Sequence, residues 1–140
     1  MSLEISYRTG NQLDIDQVIE LYIESTLGER RPVHDRACIT QMLAAANLVI
    51  SAWHGERLVG IARSLTDFCY CAYLADLSVH QDYQRQGIGK QLVARTQQAL
   101  GPDALLVLLA APTATEYYPK IGMQMHSSAW ILRPGQTLTE

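Results

Sequence analysis

Apolar and polar positions along the chain follow the periods of strands and helices. They alternate over residues 3–8, as in a half-buried strand, and recur at helical spacing from Asp14 onward and over residues 35–46. Asp14 or Asp16 is placed to cap the start of the first helix. Two apolar runs, residues 48–53 and 57–65, are separated by a short polar connection and predict a β-hairpin. The first half of the chain therefore predicts a strand, two helices and a hairpin.

The second half continues the same mixture of periods. We predict a strand over residues 69–80, a helix over 88–100 and an apolar strand over 104–110. A short helical turn over 112–120 and a final bent or double strand over 123–133 follow. The continuously apolar run 104–110 is typical of a strand that is covered on both faces. The predicted order is β-α-α-β-β-β-α-β-α-β(β). This is an α/β (mixed α+β) class with a central twisted mixed sheet, helices on both faces and one domain over residues 1–140.

Composition narrows the functional classes. With 140 residues, 48% of them hydrophobic and 18% charged, the chain has the size and balance of one globular domain. No apolar run approaches the roughly 18 residues that a membrane span needs, and the first residues, with Glu4, lack the apolar centre of a secretion signal. A net charge of −3 gives no excess of basic residues for binding nucleic acid. We therefore expect a cytoplasmic protein without a nucleic-acid or membrane partner.

Cysteine and histidine positions do not predict a metal site. The three cysteines are odd in number, and neither they nor the four histidines have the spacing of metal ligands. Cys69 and Cys71 alternate along a predicted strand, so we expect both to face one side as small buried thiols. No metal is therefore predicted.

A glycine-bearing turn, QRQGIGK at residues 84–90, lies between a predicted strand and a predicted helix. The first N–H groups of a helix have no internal partner and carry partial positive charge, and glycine lets an anion approach the backbone. The alternative is that Gly87 and Gly89 serve only a tight turn and close helix packing. A P-loop would need glycine at Gln84, and a dinucleotide or kinase-type loop would need glycine at Leu92, so none of these loops fits.

Two segments together resemble the GNAT N-acetyltransferases. The acetyl-CoA signature of that family, Q/R-x-x-G-x-G/A, reads here Gln84-Arg85-Gln86-Gly87-Ile88-Gly89. The segment TEYYPKIGM, residues 115–123, is similar to the family's F/Y-Y-x-x-x-G-F, with Met123 in place of the usual phenylalanine. The predicted element order also matches along nearly the whole chain. The resemblance implies the GNAT acyl-CoA N-acyltransferase fold.

The same resemblance implies an acyltransferase enzyme that uses acetyl-CoA as co-substrate. It would move an acetyl group directly to a primary amine, with a small molecule as the first expectation. Main-chain N–H groups of the loop would hold the pyrophosphate, and the preceding strand would bind the pantetheine arm, with a backbone N–H near Leu77 or Ser78 as oxyanion donor. The implied cofactor-binding residues are Leu77, Ser78, Val79, Gln84, Arg85, Gln86, Gly87, Ile88, Gly89, Lys90 and Tyr118.

Direct transfer needs a neutral amine, a stabilised carbonyl oxygen and a proton for the departing thiolate. Tyr118 matches the family's tyrosine beside the coenzyme A sulfur, and a phenol with a pKa of about 10 can donate that proton. The alternative is a tyrosine that only packs on the cofactor and hydrogen-bonds its sulfur. Asp76 matches a position where many family members carry an acidic residue that faces the acceptor site, where it would take the amine proton through water or hold a cationic amine. The alternative is an aspartate that caps or pairs with a neighbouring strand residue. Glu116 and His80 are weaker candidates, and His80 is expected to be a solvated loop residue.

The acceptor site of such a fold would draw on residues 25–35, 68–73 and 127–130. Five aromatic residues are candidates for a pocket wall, and equally for core or dimer surface: Tyr22, Phe68, Tyr70, Tyr73 and Trp130. Arg30-Arg31 is either a contact for a substrate phosphate or carboxylate, or a solvated turn. Two alternative functions stay open, acetylation of a protein lysine or N-terminal amine and a non-catalytic acyl-CoA-binding module. A homodimer is a further expectation from the family.

Overall fold

The computed structural model of the chain describes residues 4–139. It divides into two units, Met1–Leu109 and Ala110–Glu140, which are described in turn. That the two units form one domain stays a prediction. No helix in residues 4–139 is long and apolar enough to cross a membrane.

The first unit alternates strands and helices close to the predicted pattern. Its elements are β1 (Ser6–Thr9), α1 (Ile15–Glu24), α2 (Arg36–Ala45), β2 (Leu48–His54), β3 (Arg57–Thr66), β4 (Cys71–Val79), α3 (Ile88–Gln98) and β5 (Leu105–Val107). Asp14 and Asp35 cap α1 and α2, because each side chain accepts a hydrogen bond from a backbone N–H in the first turn. The predicted helix starts are therefore confirmed.

Five strands form one mixed sheet within the described residues, in the order β1-β2-β3-β4-β5. The pairs from β1 to β4 are antiparallel, and β5 runs parallel to β4. Asp76 pairs with Arg63 and Leu74 pairs with Ser64, so Ala75 is the extra residue of a β-bulge in β4. The bulge lies in the strand that leads to the glycine loop.

Helices cover both faces of the sheet, as predicted. Gly60 and Ile61 are consecutive in β3 and point to opposite faces. A Cβ on Gly60 would lie 3.0 Å from Leu92 of α3, so glycine allows α3 to approach this face closely. Ile61 belongs instead to the buried cluster that includes Leu21 of α1 and Leu43 of α2. The core therefore consists of two layers with the sheet between them.

The prediction that residues 104–110 form a strand covered on both faces is wrong. β5 is only Leu105–Val107, and these two terminal residues are 63% and 42% exposed. β5 is the last strand in the order, and among residues 4–139 its one strand neighbour is β4. An apolar run signals a strand in this chain, but it does not show which strand lies at the edge.

The prediction of buried thiols at Cys69 and Cys71 is also wrong, since both cysteines are exposed. β4 begins only at Cys71. The preceding residues form a turn in which the Asp67 carboxylate accepts hydrogen bonds from the backbone N–H groups of Cys69, Tyr70 and Cys71. This turn, and not a strand, therefore sets the position of Cys69.

The second unit contains a short 3-10 turn, Pro112–Ala114, and helix α4, Tyr117–Lys120. The Met123 N–H donates to the Tyr118 carbonyl oxygen at 3.0 Å and closes the helix end. The predicted final strand or strands over residues 123–133 are wrong, because no strand is assigned among residues 121–139. Apolar residues alone do not make a strand, because the backbone groups of a strand also need hydrogen-bond partners.

Candidate functional site

The glycine loop lies between β4 and α3, as the sequence predicts. Helix α3 starts at Ile88, and its N-cap, Gly87, makes no side-chain cap. The first bond of the helix runs from the Gln91 N–H to the Gly87 carbonyl at 3.0 Å. The N–H groups of Ile88, Gly89 and Lys90 therefore have no partner within the helix, and no hydrogen bond to them occurs elsewhere in the described chain. Free donors and the positive end of the helix dipole coincide at this point.

Backbone conformation explains the first glycine of the loop. Gly87 has φ +84°, in the left-handed region that favours glycine, and Arg85 two residues earlier has φ +64°. A Cβ at Gly87 would meet nothing within 4 Å. Close packing against a neighbour is therefore no reason for glycine here, and the space above the loop is open.

The other residues of the loop differ in exposure: Ile88 is buried, and the rest of the predicted set is mostly exposed. Ile88 is only 3% exposed and lies under the loop, where its Cγ2 is 3.3 Å from a Cβ built on Gly60. The exposed residues of the predicted set are Gln84, Arg85, Gln86, Gly87 and Lys90. The loop therefore presents its backbone and two cationic side chains to solvent while Ile88 fixes it to the sheet.

Residues 74–79, two thirds of β4, have an open edge. Its pairing with β5 ends at Tyr73 with Val107. Within the described chain, residues 74–79 have no ladder partner on that side, although β3 continues along the other side. The two parallel strands thus part just before the glycine loop, which leaves a backbone edge for a ligand.

The direction of the backbone groups along this edge follows from one hydrogen bond. The His80 N–H donates to the Val59 carbonyl of the β3 side at 2.9 Å. Because antiparallel pairs alternate between bonded and non-bonded positions, Leu77 and Val79 point their N–H and C=O groups away from β3. The Val79 carbonyl accepts from Gln84 Nε2 at 2.9 Å, which ties the loop to the strand end.

Ser78 differs from its neighbours. By the same alternation its backbone faces β3, where it pairs with Ile61. Its Oγ donates to Ser25 Oγ at 2.5 Å, which fastens β4 to the end of α1. Of the two predicted oxyanion donors, the geometry therefore favours Leu77 over Ser78.

Asp76 lies at the centre of a buried ion-pair cluster and is 1% exposed. Its Oδ2 accepts hydrogen bonds from Tyr22 Oη and Arg63 Nε, both at 2.6 Å, and its Oδ1 accepts from Arg31 Nε at 2.6 Å. Arg31 also donates through Nη2 to the carbonyl of the bulge residue Ala75 at 2.8 Å. The carboxylate is therefore bound by three donors, two of them cationic.

This cluster sets the protonation of its members. Burial raises the pKa of Asp76, but the hydrogen bond and charge of Arg63, with Tyr22 and Arg31, outweigh burial and hold that pKa below its usual value. Burial and the Asp76 charge raise the pKa of Tyr22 far above its usual value. A paired carboxylate with a lowered pKa is a weak base. The geometry thus favours the pairing alternative for Asp76, and its role as general base stays a prediction that these contacts weigh against.

A cavity of about 300 Å³ adjoins the cluster, and all of its lining belongs to the first unit. The lining residues are Arg30, Arg31, Arg63, Tyr73, Ala75, Asp76 and Leu109. Two predicted acceptor segments, residues 25–35 and 68–73, therefore meet at one cavity. The sequence analysis did not predict Arg63 as a site residue. An arginine within the mostly apolar run of residues 57–65 was the feature that could have indicated it.

The four aromatic candidates of the first unit do not form one surface. Tyr22 is 1% exposed and belongs to the core, while Tyr73 lines the cavity. Phe68 and Tyr70 are exposed and are not part of that lining. Trp130 lies in the second unit and is 92% exposed.

His80 and Glu116 were weaker candidates for proton transfer. The expectation of a solvated His80 is wrong, because it is 3% exposed. Its Nδ1 accepts from the Asp82 N–H at 3.1 Å, so it caps the turn that precedes the glycine loop. Glu116 lies before α4 in the second unit and makes no cap with its side chain. Residues 4–139 hold no group of three or more histidine, cysteine or acidic side chains placed for a metal ion.

Tyr118 lies on α4 of the second unit and is half-buried. Its ring centroid is 5.2 Å from that of Tyr117, with the rings nearly perpendicular. Burial, and to a lesser degree Tyr117, raises the pKa of the Tyr118 phenol. The side chain is therefore protonated at neutral pH and able to donate.

The family model described as an acetyltransferase (GNAT) domain matches residues 24–133. This chain belongs to the GNAT family. A GNAT relative from Gracilaria tenuistipitata var. liui, called "Uncharacterized N-acetyltransferase ycf52", is 28% identical over 107 residues, which cover 74% of this chain and 59% of that protein. The chain therefore spans less than two thirds of the length of this GNAT relative.

Solved GNAT structures share the fold. A GNAT family acetyltransferase from Streptococcus pneumoniae has a TM-score of 0.73 at 22% identity, over 93% of this chain and 99% of that one. The aminoglycoside N-acetyltransferase AAC(6')-Iy, solved in complex with CoA, has a TM-score of 0.71 at 17% identity, over 95% and 96% of the two chains. At these identities the likeness shows the fold, and the predicted GNAT α/β fold is confirmed.

Proposed function

We propose that this GNAT-family chain transfers the acetyl group of acetyl-CoA directly to the nitrogen of a small primary amine. The observation that carries the proposal is the set of free backbone N–H groups at the start of α3, beside the open edge of β4. A helix start of this kind binds phosphate. The open space above Gly87 leaves the backbone accessible to a diphosphate.

The loop and the strand edge suit the two polar parts of coenzyme A. The N–H groups of Ile88, Gly89 and Lys90 would hold the pyrophosphate, and the exposed side chains of Arg85 and Lys90 add positive charge nearby. The outward-facing N–H and C=O groups of Leu77 are suited to the amide-bearing arm in the manner of an added strand. This arrangement would present the thioester to an approaching amine.

Acetyl transfer needs bond formation at the thioester carbon, stabilisation of the carbonyl oxygen and a proton for the departing sulfur. The amine nitrogen bonds to the thioester carbon, the carbon–sulfur bond breaks, and the amine proton leaves to solvent or a base. The Leu77 N–H would stabilise charge on the carbonyl oxygen. The resemblance of residues 115–123 to the GNAT segment supports the Tyr118 phenol as the group that would give its proton to the departing sulfur. No protein nucleophile takes part, so no covalent intermediate on the chain is expected.

The cavity of about 300 Å³ is open to solvent and can admit a small acceptor, because small-molecule sites begin at about this volume. Acetylation of a protein amine would need an open groove, and a non-catalytic module would bind acetyl-CoA without turnover. Both alternatives are outcomes of the test below. A cytoplasmic location and a homodimer stay predictions.

The test is release of the coenzyme A thiol from acetyl-CoA in the presence of small amines, of lysine-containing peptides, or of neither. We expect release that depends on small amines, with the N-acetyl product identified by mass spectrometry. Thiol release that occurs with the peptides but not with the small amines would contradict the small-molecule acceptor. Binding of acetyl-CoA without release by any amine would contradict the enzyme.

A further inference from the structure

Positive charge dominates the cavity beside β4. The lining contains three arginines, Arg30, Arg31 and Arg63, and Asp76 is its one acidic residue among the residues that the structure describes. Three positive charges against one negative leave a net charge of +2 in the lining. The whole chain has a net charge of −3. The excess of positive charge in the cavity is therefore a local property that the overall composition does not explain.

Arg31 is held in place by the protein itself. Its Nε donates to Asp76, its Nη2 donates to the Ala75 carbonyl at 2.8 Å, and its Nη1 donates to the Arg30 carbonyl at 2.9 Å. The side chain is 23% exposed, so its charge still reaches the cavity. Arg31 therefore forms a rigid, pre-oriented part of the wall.

Arg63 and Arg30 keep donors for a ligand. Arg63 donates through Nε to Asp76 and through Nη1 to the Met42 carbonyl at 3.2 Å, which leaves Nη2 unused among the described residues. Arg30 is exposed, and within residues 4–139 its guanidinium makes no hydrogen bond or ion pair. Because a guanidinium binds carboxylate and phosphate oxygens in pairs, these donors fit an anion.

The cavity adjoins the proposed reaction centre. Ala75 lines the cavity, and Leu77, whose N–H faces the open edge, follows two residues later in β4. Two residues of strand span roughly 7 Å. A small acceptor with its anion in the cavity would therefore bring a nearby amine to the edge where the thioester is expected.

We propose that this cavity binds the anionic group of the acceptor, so that the substrate is a primary amine that carries a carboxylate or a phosphate. Arg30 is the specificity-determining residue, and Asp76 with Arg31 positions the wall. The proposal rests on the proposed function and names the substrate class of the same site.

The charge also excludes one class of acceptor. The structural neighbour AAC(6')-Iy is an aminoglycoside N-acetyltransferase. Aminoglycosides carry several ammonium groups at neutral pH, and a cavity with a net charge of +2 repels them. This chain is therefore expected to discriminate against polycationic acceptors.

The test compares acceptors that differ by one anionic group, ethanolamine with phosphoethanolamine and 2-phenylethylamine with phenylalanine. We expect kcat/KM to be at least tenfold higher for the anionic member of the preferred pair, and the preferred pair distinguishes phosphate from carboxylate. Arg30→Gln should abolish this preference mainly through KM, with acetyl-CoA affinity unchanged. Arg36→Gln is the matched control, because Arg36 is 59% exposed, pairs with Asp16 and does not line the cavity.

The outcomes separate this proposal from the proposed function. Equal or better turnover of the amines that lack the anionic group, or of an aminoglycoside, or an unchanged preference in Arg30→Gln, overturns the anionic acceptor while acetyl transfer stands. If no amine releases thiol although acetyl-CoA binds, the proposed function fails and the acceptor class fails with it.

Discussion

Replacement of Asp76 by alanine will lower the free energy of unfolding by about 3–5 kcal/mol, as measured by urea denaturation. The substitution leaves Arg63, which is largely buried, and Arg31 without their counter-ion, and it removes the acceptor for the Tyr22 hydroxyl. An uncompensated buried charge cannot regain its hydration inside the fold. Asp76 is thus expected to act first as a structural anion.

Asp16→Ala is the matched control for this substitution. Asp16 also pairs with an arginine, Arg36, but both side chains are more than half exposed, so the loss should be below about 1 kcal/mol. A change within about 1 kcal/mol for Asp76→Ala, equal to the control, would contradict the cluster described here.

The Asp76 carboxylate also makes the stability of the fold depend on pH, and the direction of that dependence follows from its lowered pKa. Because its pKa is lower in the folded state than in the unfolded state, the ionised group stabilises the fold above about pH 4. That stabilisation is lost as the pH falls through the folded-state pKa. Asp76→Asn should therefore flatten the fall in stability below about pH 4, and an unchanged acid profile would contradict the lowered pKa.

Tyr118→Phe will lower kcat by about 10²–10⁴-fold, the range typical of a lost general acid. The substitution keeps the ring and removes only the hydroxyl, so packing and acetyl-CoA affinity should change little. The raised pKa of Tyr118 keeps its proton available at neutral pH, while the thiolate that leaves needs one. The measurement is steady-state thiol release with acetyl-CoA dissociation constants determined in parallel.

Tyr117→Phe is the control within the same short helix. It removes a neighbouring hydroxyl from the same environment and should leave kcat within about twofold of the wild type, since no proton transfer is assigned to it. An unchanged kcat in Tyr118→Phe would show that Tyr118 only packs on the cofactor. An equal loss in both variants would assign the effect to the packing of the two rings.

Local signals were sufficient for most of the first unit. Helices α1 and α2 carry an apolar stripe and an aspartate cap, Asp14 or Asp35, at the correct spacing, so their starts were predictable. The glycine loop was predictable for a different reason: a strand, two glycines and a helix start place free N–H groups at one point whatever surrounds them. Both kinds of feature depend on neighbours within a few residues.

Features that depend on distant partners were not predictable. The exposure of β5 follows from its edge position, and no strand is assigned among residues 123–133. Asp76 is bound by residues 13, 45 and 54 positions away, so no local spacing marks the cluster. The sequence predicted Asp76 as a candidate site residue, with pairing as the alternative, but could not show that its charge is already paired.

Isothermal titration calorimetry with acetyl-CoA tests the central claim, that the free N–H groups at the start of α3 hold the diphosphate. The wild type should bind, and Gly87→Ala should bind at least tenfold more weakly, because a Cβ would enter the open space above the loop and strain a backbone with φ +84°. Gly55→Ala is the control, since Gly55 also has a positive φ and open space but lies in the hairpin turn between β2 and β3; it should bind like the wild type. No heat from the wild type at millimolar acetyl-CoA, or equal affinity in all three proteins, would contradict the account.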